Sequence, residues 1–402
     1  VLLCSAVVAA LPLPVVAQGG VVDNVLLRWR ETLEKCEGSP MVDRTAPADL
    51  EAMVHVAMYE AVNAVAGKYQ PYVAKIAAPR GTSEVAAAAQ AARDVIAKGC
   101  AEQTAAADGL LSAVLSSVTD SAARAGGVTV GKQAAAAILA ARGNSGSTGL
   151  DDYFPAAKAG VYMPTIRQTG VRWSRTTPWV MRAPNELRPA APPALSSETW
   201  ARDYEEIRRM GGKTGSARTA VQTDIAQFWA PRDVRIVLRQ LVGLPGRSLV
   251  DDARFLALAE MAWADSYVSM MDGKYAFNFW RPVTAIRGGA VDGNDRTIPD
   301  ANWTPLANTP PHPEYPCGHC LSAAAVGAVI EAEFGSRMPA IVLEMEGALL
   351  RRYPTAQAYL DEVAESRLLV GVHYRFSLEA GKAMGLTLGK LAVERQLRPI
   401  GR

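Results

Sequence analysis

Pro316-Cys317-Gly318-His319-Cys320-Leu321-Ser322-Ala323-Ala324-Ala325-Val326 reads as the start of a helix that carries chemistry. Pro316 interrupts what precedes it, and the apolar run from Leu321 to Val326 suits a helix interior. Gly318 and His319 therefore fall in the first helical turn. Backbone N–H groups there lack intrahelical partners and favour an anion. A histidine at such a place can protonate an oxygen of the bound anion.

Working outward, two further segments carry the same charge logic. Upstream stands Lys274-Tyr275-Ala276-Phe277-Asn278-Phe279-Trp280-Arg281-Pro282. If the helix ran through it, a seven-residue spacing would be nearly two turns and put Lys274 and Arg281 on one face. The aromatic residues between them would wall off water. Two like charges on one face make sense when a dianion sits between them. Downstream stands Ser366-Arg367-Leu368-Leu369-Val370-Gly371-Val372-His373-Tyr374. Six residues turn a helix by about 600°, which leaves Arg367 and His373 roughly 120° apart unless the helix breaks near His373. The chain has only four histidines, His55, His312, His319 and His373, and three of them lie in its last quarter. His55, alone in a helical pattern, is expected to be a packed residue.

The surroundings read as mostly helical. Apolar residues at three- and four-residue spacing predict helices over 47–66, 84–100, 104–124 and 129–142, with Gly126-Gly127 separating the last two. Seven prolines interrupt 143–195, which reads as a wrapping or functional segment. Helical pattern resumes over 197–210, 219–229, 234–242 and 249–271. A Pro/Gly-rich stretch, 282–318, follows. Helices are then predicted over 319–334, 338–351, 355–373 and 377–397. The expected fold is all-α, two helical bundles joined by the proline-rich segment. The divisions are an N-terminal bundle over 20–145, a connecting segment over 146–196 and a C-terminal catalytic bundle over 197–402.

Charge limits the partners. Lys and Arg number 42 against 40 Asp and Glu, a net of +2 with the signs interspersed. That argues against a nucleic-acid partner and for a small anion held in a local basic pocket. Residues 1–17 are apolar, uncharged and end in small residues. They read as the hydrophobic part of a secretory signal without the basic start such signals carry. No other stretch has the ~18 uncharged apolar residues of a membrane span. The expectation is export to a periplasmic or secreted location. Cys36, Cys100, Cys317 and Cys320 remain after that signal, an even count that permits two disulfides in an oxidising compartment. The spacing makes Cys317 and Cys320 natural partners, which leaves Cys36 with Cys100. The sequence leaves self-association open.

Together the three segments resemble the three-part signature of the vanadium-dependent haloperoxidases within the phosphatidic-acid-phosphatase type 2 superfamily: Lys-x6-Arg-Pro, Pro-Ser-Gly-His and Ser-Arg-x5-His. Val54-His55-Val56-Ala57-Met58-Tyr59-Glu60-Ala61 and the stretch 218–229 are similar to bacterial members as well. The resemblance implies two packed four-helix bundles. It implies vanadate bonded to His373, with Lys274, Arg281, Arg367 and the Gly318 amide on its oxygens, Cys317 at the family's serine, and His319 as acid–base. It implies hydrogen peroxide and halide as substrates, hypohalous acid as product and a small organic acceptor. Phosphate can occupy the same site. The same residues would serve a soluble acid phosphatase, in which His373 attacks a phosphomonoester to give a phosphohistidine.

Four positions depart from the pattern. Cys317 replaces a hydroxyl donor. Ser377 stands where the family often has an Asp four residues after His373, so another group must orient that imidazole, a backbone carbonyl being one source. His312, beside the acid–base histidine, resembles the algal bromide enzymes. Met271 replaces a Trp of the fungal chloride enzyme. The last two favour bromide or iodide over chloride. A third reading takes Cys317-Gly318-His319-Cys320 as the active tetrapeptide of a thiol–disulfide oxidoreductase, although that chemistry belongs to a strand–helix setting.

Overall fold

Helix α8 (Leu249–Phe277) is the spine of the molecule, 29 residues long and buried along most of its length. It starts at Ser248, whose side chain caps Asp251 N–H while Asp251 caps back. The computed structural model describes residues 24–36, 45–143, 145–146, 153–164, 166–335, 338–343 and 351–401. The expected signal, 1–17, lies outside these.

On one side of α8 packs a bundle of α2 (Thr45–Ala66), α3 (Glu84–Gly99) and α5 (Ser121–Arg142), with α1 (Val25–Glu34) and α4 (Thr104–Ser117) against α3. On the other pack α10 (Gly318–Phe334), α11 (Ala356–Leu369) and α12 (Arg375–Arg395), with α7 (Ala220–Trp229) against α11. The short helix α6 (Glu198–Met210) touches α9 (Pro282–Arg287), α11 and α12. Among the described residues, strand is confined to β1 (Ile341–Leu343) and β2 (Arg351–Tyr353), an antiparallel pair, and to isolated bridges. No described helix is long and apolar enough to cross a membrane.

Several elements differ from the sequence reading, among them α1 and α9, where no helix was expected, and α11, which ends at Leu369 short of the expected 373. The break predicted at Gly126-Gly127 lies instead at 118–120, where Asp120 caps α5 by accepting from Ala122 and Ala123 N–H. The glycine pair sits inside α5 because the helix needs it for close packing: a Cβ on Gly127 would lie 2.6 Å from Ala86 Cβ and 2.7 Å from Ser83 O of the α3 turn. The helix predicted over 338–351 is replaced at its described ends by β1 and β2. Ile341 and Leu343 face inward there, and Val342 pairs with the Gln240 side chain. Residues 234–240 form a 3-10 helix rather than an α-helix.

The described part of the proline-rich segment forms a strap across α8. The Asp265 carboxylate of α8 accepts from Trp179, Val180 and Met181 N–H at 2.6 to 2.9 Å. Arg188 pairs with both oxygens of Asp272 at 2.7 and 2.6 Å. Further along, Tyr162 N–H donates to Asn278 O, Trp280 N–H to Gly160 O, and Thr169 N–H to Pro311 O. The strap thus braces the segments from which Lys274, Arg281 and His312 project.

Candidate active site

Each site residue emerges where an element ends. Lys274 is in the last turn of α8, and Asn278 closes that helix in a left-handed conformation, φ 52°. Arg281 therefore lies beyond the helix, as the cap of α9, and not on a shared α8 face. The chain turns back so that the two cations still meet. Trp200 of α6 holds that turn, its ring 5.8 Å from Trp280, 5.6 Å from Phe279 and 5.1 Å from Tyr374. One aromatic cluster thereby fixes the neighbours of both Arg281 and His373.

Arg367 is in the last turn of α11. The helix ends there, with Gly371 at φ +83°, so Arg367 and His373 are not on one regular helix. A side chain at 371 would meet Gly211 O at 2.4 Å, so glycine is required for space as well as conformation. Past this break the chain carries His373 back to Arg281.

Lys274, Arg281, Arg367 and His373 are all buried. Lys274 Nζ donates to Glu314 O at 2.7 Å and to Pro316 O at 2.6 Å, which leaves one of its three N–H groups for another acceptor. Arg281 Nε donates to His312 O and Nη1 to Val372 O, both at 2.9 Å. Its Nη1 is 3.4 Å from His373 Nε2, and its Nη2 is 3.0 Å from His312 Nδ1. Arg367 Nε and Nη1 have no protein partner. His319, half-buried in the first turn of α10, lies close enough to His312 to act on its charge. Gly318 abuts α8, where a Cβ would lie 2.0 Å from Met270 Sδ.

The electrostatics follow from burial and from crowded positive charge. Burial first, then Arg281, pushes the Lys274 ammonium well below its usual range, with Glu314 opposing. Burial takes Arg281 and Arg367 down to about 10. Burial, then Arg281, Lys274 and Arg367, holds His373 neutral, well below an ordinary imidazole. Glu314 is pushed up to about 7 by burial, against the pull of Lys274 and Arg281. Three buried cationic side chains therefore crowd together near one carboxylate, Glu314, which pairs with His373, an imbalance that an oxyanion would relieve.

Cys317 is the exception among the expected oxyanion donors. It is bonded to Cys320, with Cα atoms 5.4 Å apart, and its sulfur accepts Cys320 N–H. With no S–H it has no proton to give, so the donor role fails. Cys36 and Cys100 form the second disulfide. Glu314 is the residue that sequence reasoning passed over: its Oε1 receives His373 Nδ1 at 2.8 Å and Tyr374 N–H at 3.1 Å. The group on His373 Nδ1 is thus a carboxylate and not a backbone carbonyl. Its one sequence signal was an acidic residue between two prolines in a motif otherwise made for anions.

The comparisons with known proteins bear on the fold and the C-terminal bundle. Residues 254–402 match the second helical-bundle domain of vanadium chloroperoxidase. The vanadium chloroperoxidase of Curvularia inaequalis is 25% identical over 176 residues, which cover 33% of this chain and 29% of that protein. By sequence, the likeness to the vanadium haloperoxidases is to the second helical-bundle domain, in the C-terminal part of the chain. The family's fold extends over nearly all of the chain. A bacterial vanadium-dependent iodoperoxidase superposes with a TM-score of 0.79 over 97% of this chain and 99% of its own, at 22% identity. A holo bacterial vanadium-dependent chloroperoxidase does so with a TM-score of 0.71 over 90% and 94%, at 17% identity.

Proposed function

We propose that the protein is a vanadate-dependent haloperoxidase, which oxidises a halide with hydrogen peroxide to hypohalous acid for a small organic acceptor. The observation that carries this reading is the meeting of Lys274, Arg281 and Arg367 around the imidazole of His373, with two Arg367 nitrogens unpaired. Cationic N–H donors, a neutral imidazole and a helix start at Gly318 fit a tetrahedral oxyanion, vanadate or phosphate. Lys274, Arg281, Arg367 and the Gly318 amide would hold its oxygens, and His373 Nε2 would be its covalent partner. Bound vanadate supplies Lewis-acid activation of hydrogen peroxide towards halide.

The chain's own groups do the rest. Buried cations neutralise charge at fixed positions and in low dielectric, where that stabilisation is strongest. The third N–H of Lys274 would be left for the anion while two carbonyls fix the ammonium. The imidazole of His319, the more exposed of the two histidines, takes up and returns a proton at one ring nitrogen. His312 Nδ1 lies 3.0 Å from Arg281 Nη2, a donor only, and 3.2 Å from Pro313 O, an acceptor only, so the ring sits between a donor and an acceptor at the same nitrogen. That neutral ring beside His319, together with Met271 on the α8 wall, supports bromide or iodide over chloride, the hardest of the three to oxidise. Export is supported by the apolar 1–17 segment and by two disulfides. N-terminal sequencing of the natural protein tests it.

The activity test is direct. Vanadate-loaded protein, peroxide and each halide in turn are assayed by halogenation of a phenol dye, and the vanadate-free protein is assayed on an aryl phosphate. Vanadate-dependent bromination or iodination supports the proposal. No halogenation together with phosphate ester cleavage would move the assignment to the phosphatase. The buried disulfide speaks against thiol exchange, since Cys317 and Cys320 are both 0% exposed.

A further inference from the structure

His373 has to present one particular ring nitrogen, and the structure contains two independent contacts that say which. Arg281 Nη1 stands 3.4 Å from Nε2. A guanidinium only donates, so Nε2 must be the nitrogen with the lone pair. At the other end of the ring, Nδ1 is 2.8 Å from Glu314 Oε1. The same oxygen already receives Tyr374 N–H, which points it at the His373 backbone as well as at the ring. Both contacts require a hydrogen on Nδ1.

Glu314 is itself fixed from several directions. Its N–H donates to Phe279 O at 2.8 Å. Its carbonyl receives Lys274 Nζ, and its side chain is fully buried. One residue therefore touches the end of α8, the turn before Arg281 and the loop that carries His373. On α12, the Ser377 hydroxyl faces the Glu314 carboxyl and helps hold its pKa down, although it makes no hydrogen bond of regular geometry.

We propose that Glu314 is the positioning residue of His373: its carboxylate holds Nδ1–H and turns the Nε2 lone pair towards the Lys274–Arg281–Arg367 cluster. This rests on the reading that Nε2 meets the bound oxyanion. Ser377 borders that carboxylate, so position 377 is within reach of the same task. Groups that orient a metal-bound histidine are typically worth 10- to 100-fold in affinity.

The test exploits the small number of histidines. The full chain is labelled with 15N-histidine, and ring resonances are assigned with His→Ala variants. Nitrogen shifts report the tautomer directly, and vanadate titration of each variant gives its Kd. Wild type is expected to show His373 as the Nδ1–H tautomer. In Glu314→Gln the amide oxygen still accepts, so the tautomer persists, but the Nδ1 proton moves upfield and vanadate binds more weakly. In Glu314→Ala the tautomer is lost and Kd rises about 10- to 100-fold. Adding Ser377→Asp to Glu314→Ala is expected to recover part of both. An Nε2–H His373 in wild type overturns the inference. So does a Glu314→Gln protein whose Nδ1 proton is unmoved, a readout that holds even where Glu314→Ala fails to fold. A wild type with the expected tautomer, sensitive to Glu314 but indifferent to vanadate, would defeat the vanadate reading and leave the positioning role intact.

Discussion

His373 and His319 stand in environments that assign them different tasks. His373 is enclosed by cations and held neutral, suited to donate a lone pair; His319 is only half-buried, in the first turn of α10, where the proposed reading gives it acid–base work. His373→Ala is expected to abolish both halide oxidation and vanadate retention. His319→Ala is expected to keep substantial anion binding while kcat falls about 10²–10⁴-fold. Paired kcat measurements and vanadate titrations check this, and the opposite pattern would mean that the roles are exchanged. The gathering of Lys274, Arg281 and Arg367 near His373 was legible in the sequence, because like charges in three motifs of a neutral chain point to a shared anion. Glu314 was not, because its meeting with His373 spans 59 positions and depends on how α8, α10 and α12 pack.

At the scale of elements, α10 and α12 meet through glycines. A Cβ on Gly381 would lie 2.4 Å from Cys317 O, on Gly385 2.2 Å from Leu321 O, and on Gly389 2.3 Å from Ala325 O. One face of α12 thus rests on the backbone of α10 and sets where the turn of Gly318 and His319 sits. Gly385→Ala would gain up to about 1 kcal/mol of helix propensity. Overpacking against a carbonyl, which cannot swing aside as a side chain can, costs typically 1–3 kcal/mol. The net expectation is a lower Tm and a weaker vanadate affinity; a Tm at or above wild type would contradict it. Most helices were readable from apolar spacing, to within a few residues. The exceptions have a common cause. Gly126-Gly127 has the local look of a break but is needed by α3, and 338–343 has mixed spacing that only the pairing of β1 with β2 resolves.

Across the whole molecule, α2 is tied to distant parts of the chain by buried polar groups. Glu60, at its buried face, accepts Tyr72 N–H and Val73 N–H through the same oxygen. Burial raises its pKa from 4.5 to about 7, with those two N–H groups pulling the other way. The folded state therefore binds the extra proton between these values. This contribution to stability is full below the window and lost as pH rises through it. Glu60→Gln keeps the accepting oxygen and removes the titration. Relative to wild type, its Tm should compare more favourably at about pH 8 than at about pH 5. An equal difference at both would show that the carboxyl is not strained by ionisation. His55, expected to be a packed residue, is buried beside Glu260 and Arg30 and pushed down to about 4, chiefly by burial. It belongs to the same framework and not to the anion site.

The contact between Gly318 and Met270 sets a term on the working life of the molecule. A thioether abuts Gly318, whose amide would hold the oxyanion in the proposed reaction. Sulfoxide formation would add a polar oxygen where even a methyl group on Gly318 would find no room. Wear should therefore be counted in turnovers rather than hours. Peptide mapping of spent protein should find the first added oxygen at Met270. Met270→Leu should outlast wild type by number of catalytic cycles while ageing no more slowly on the shelf.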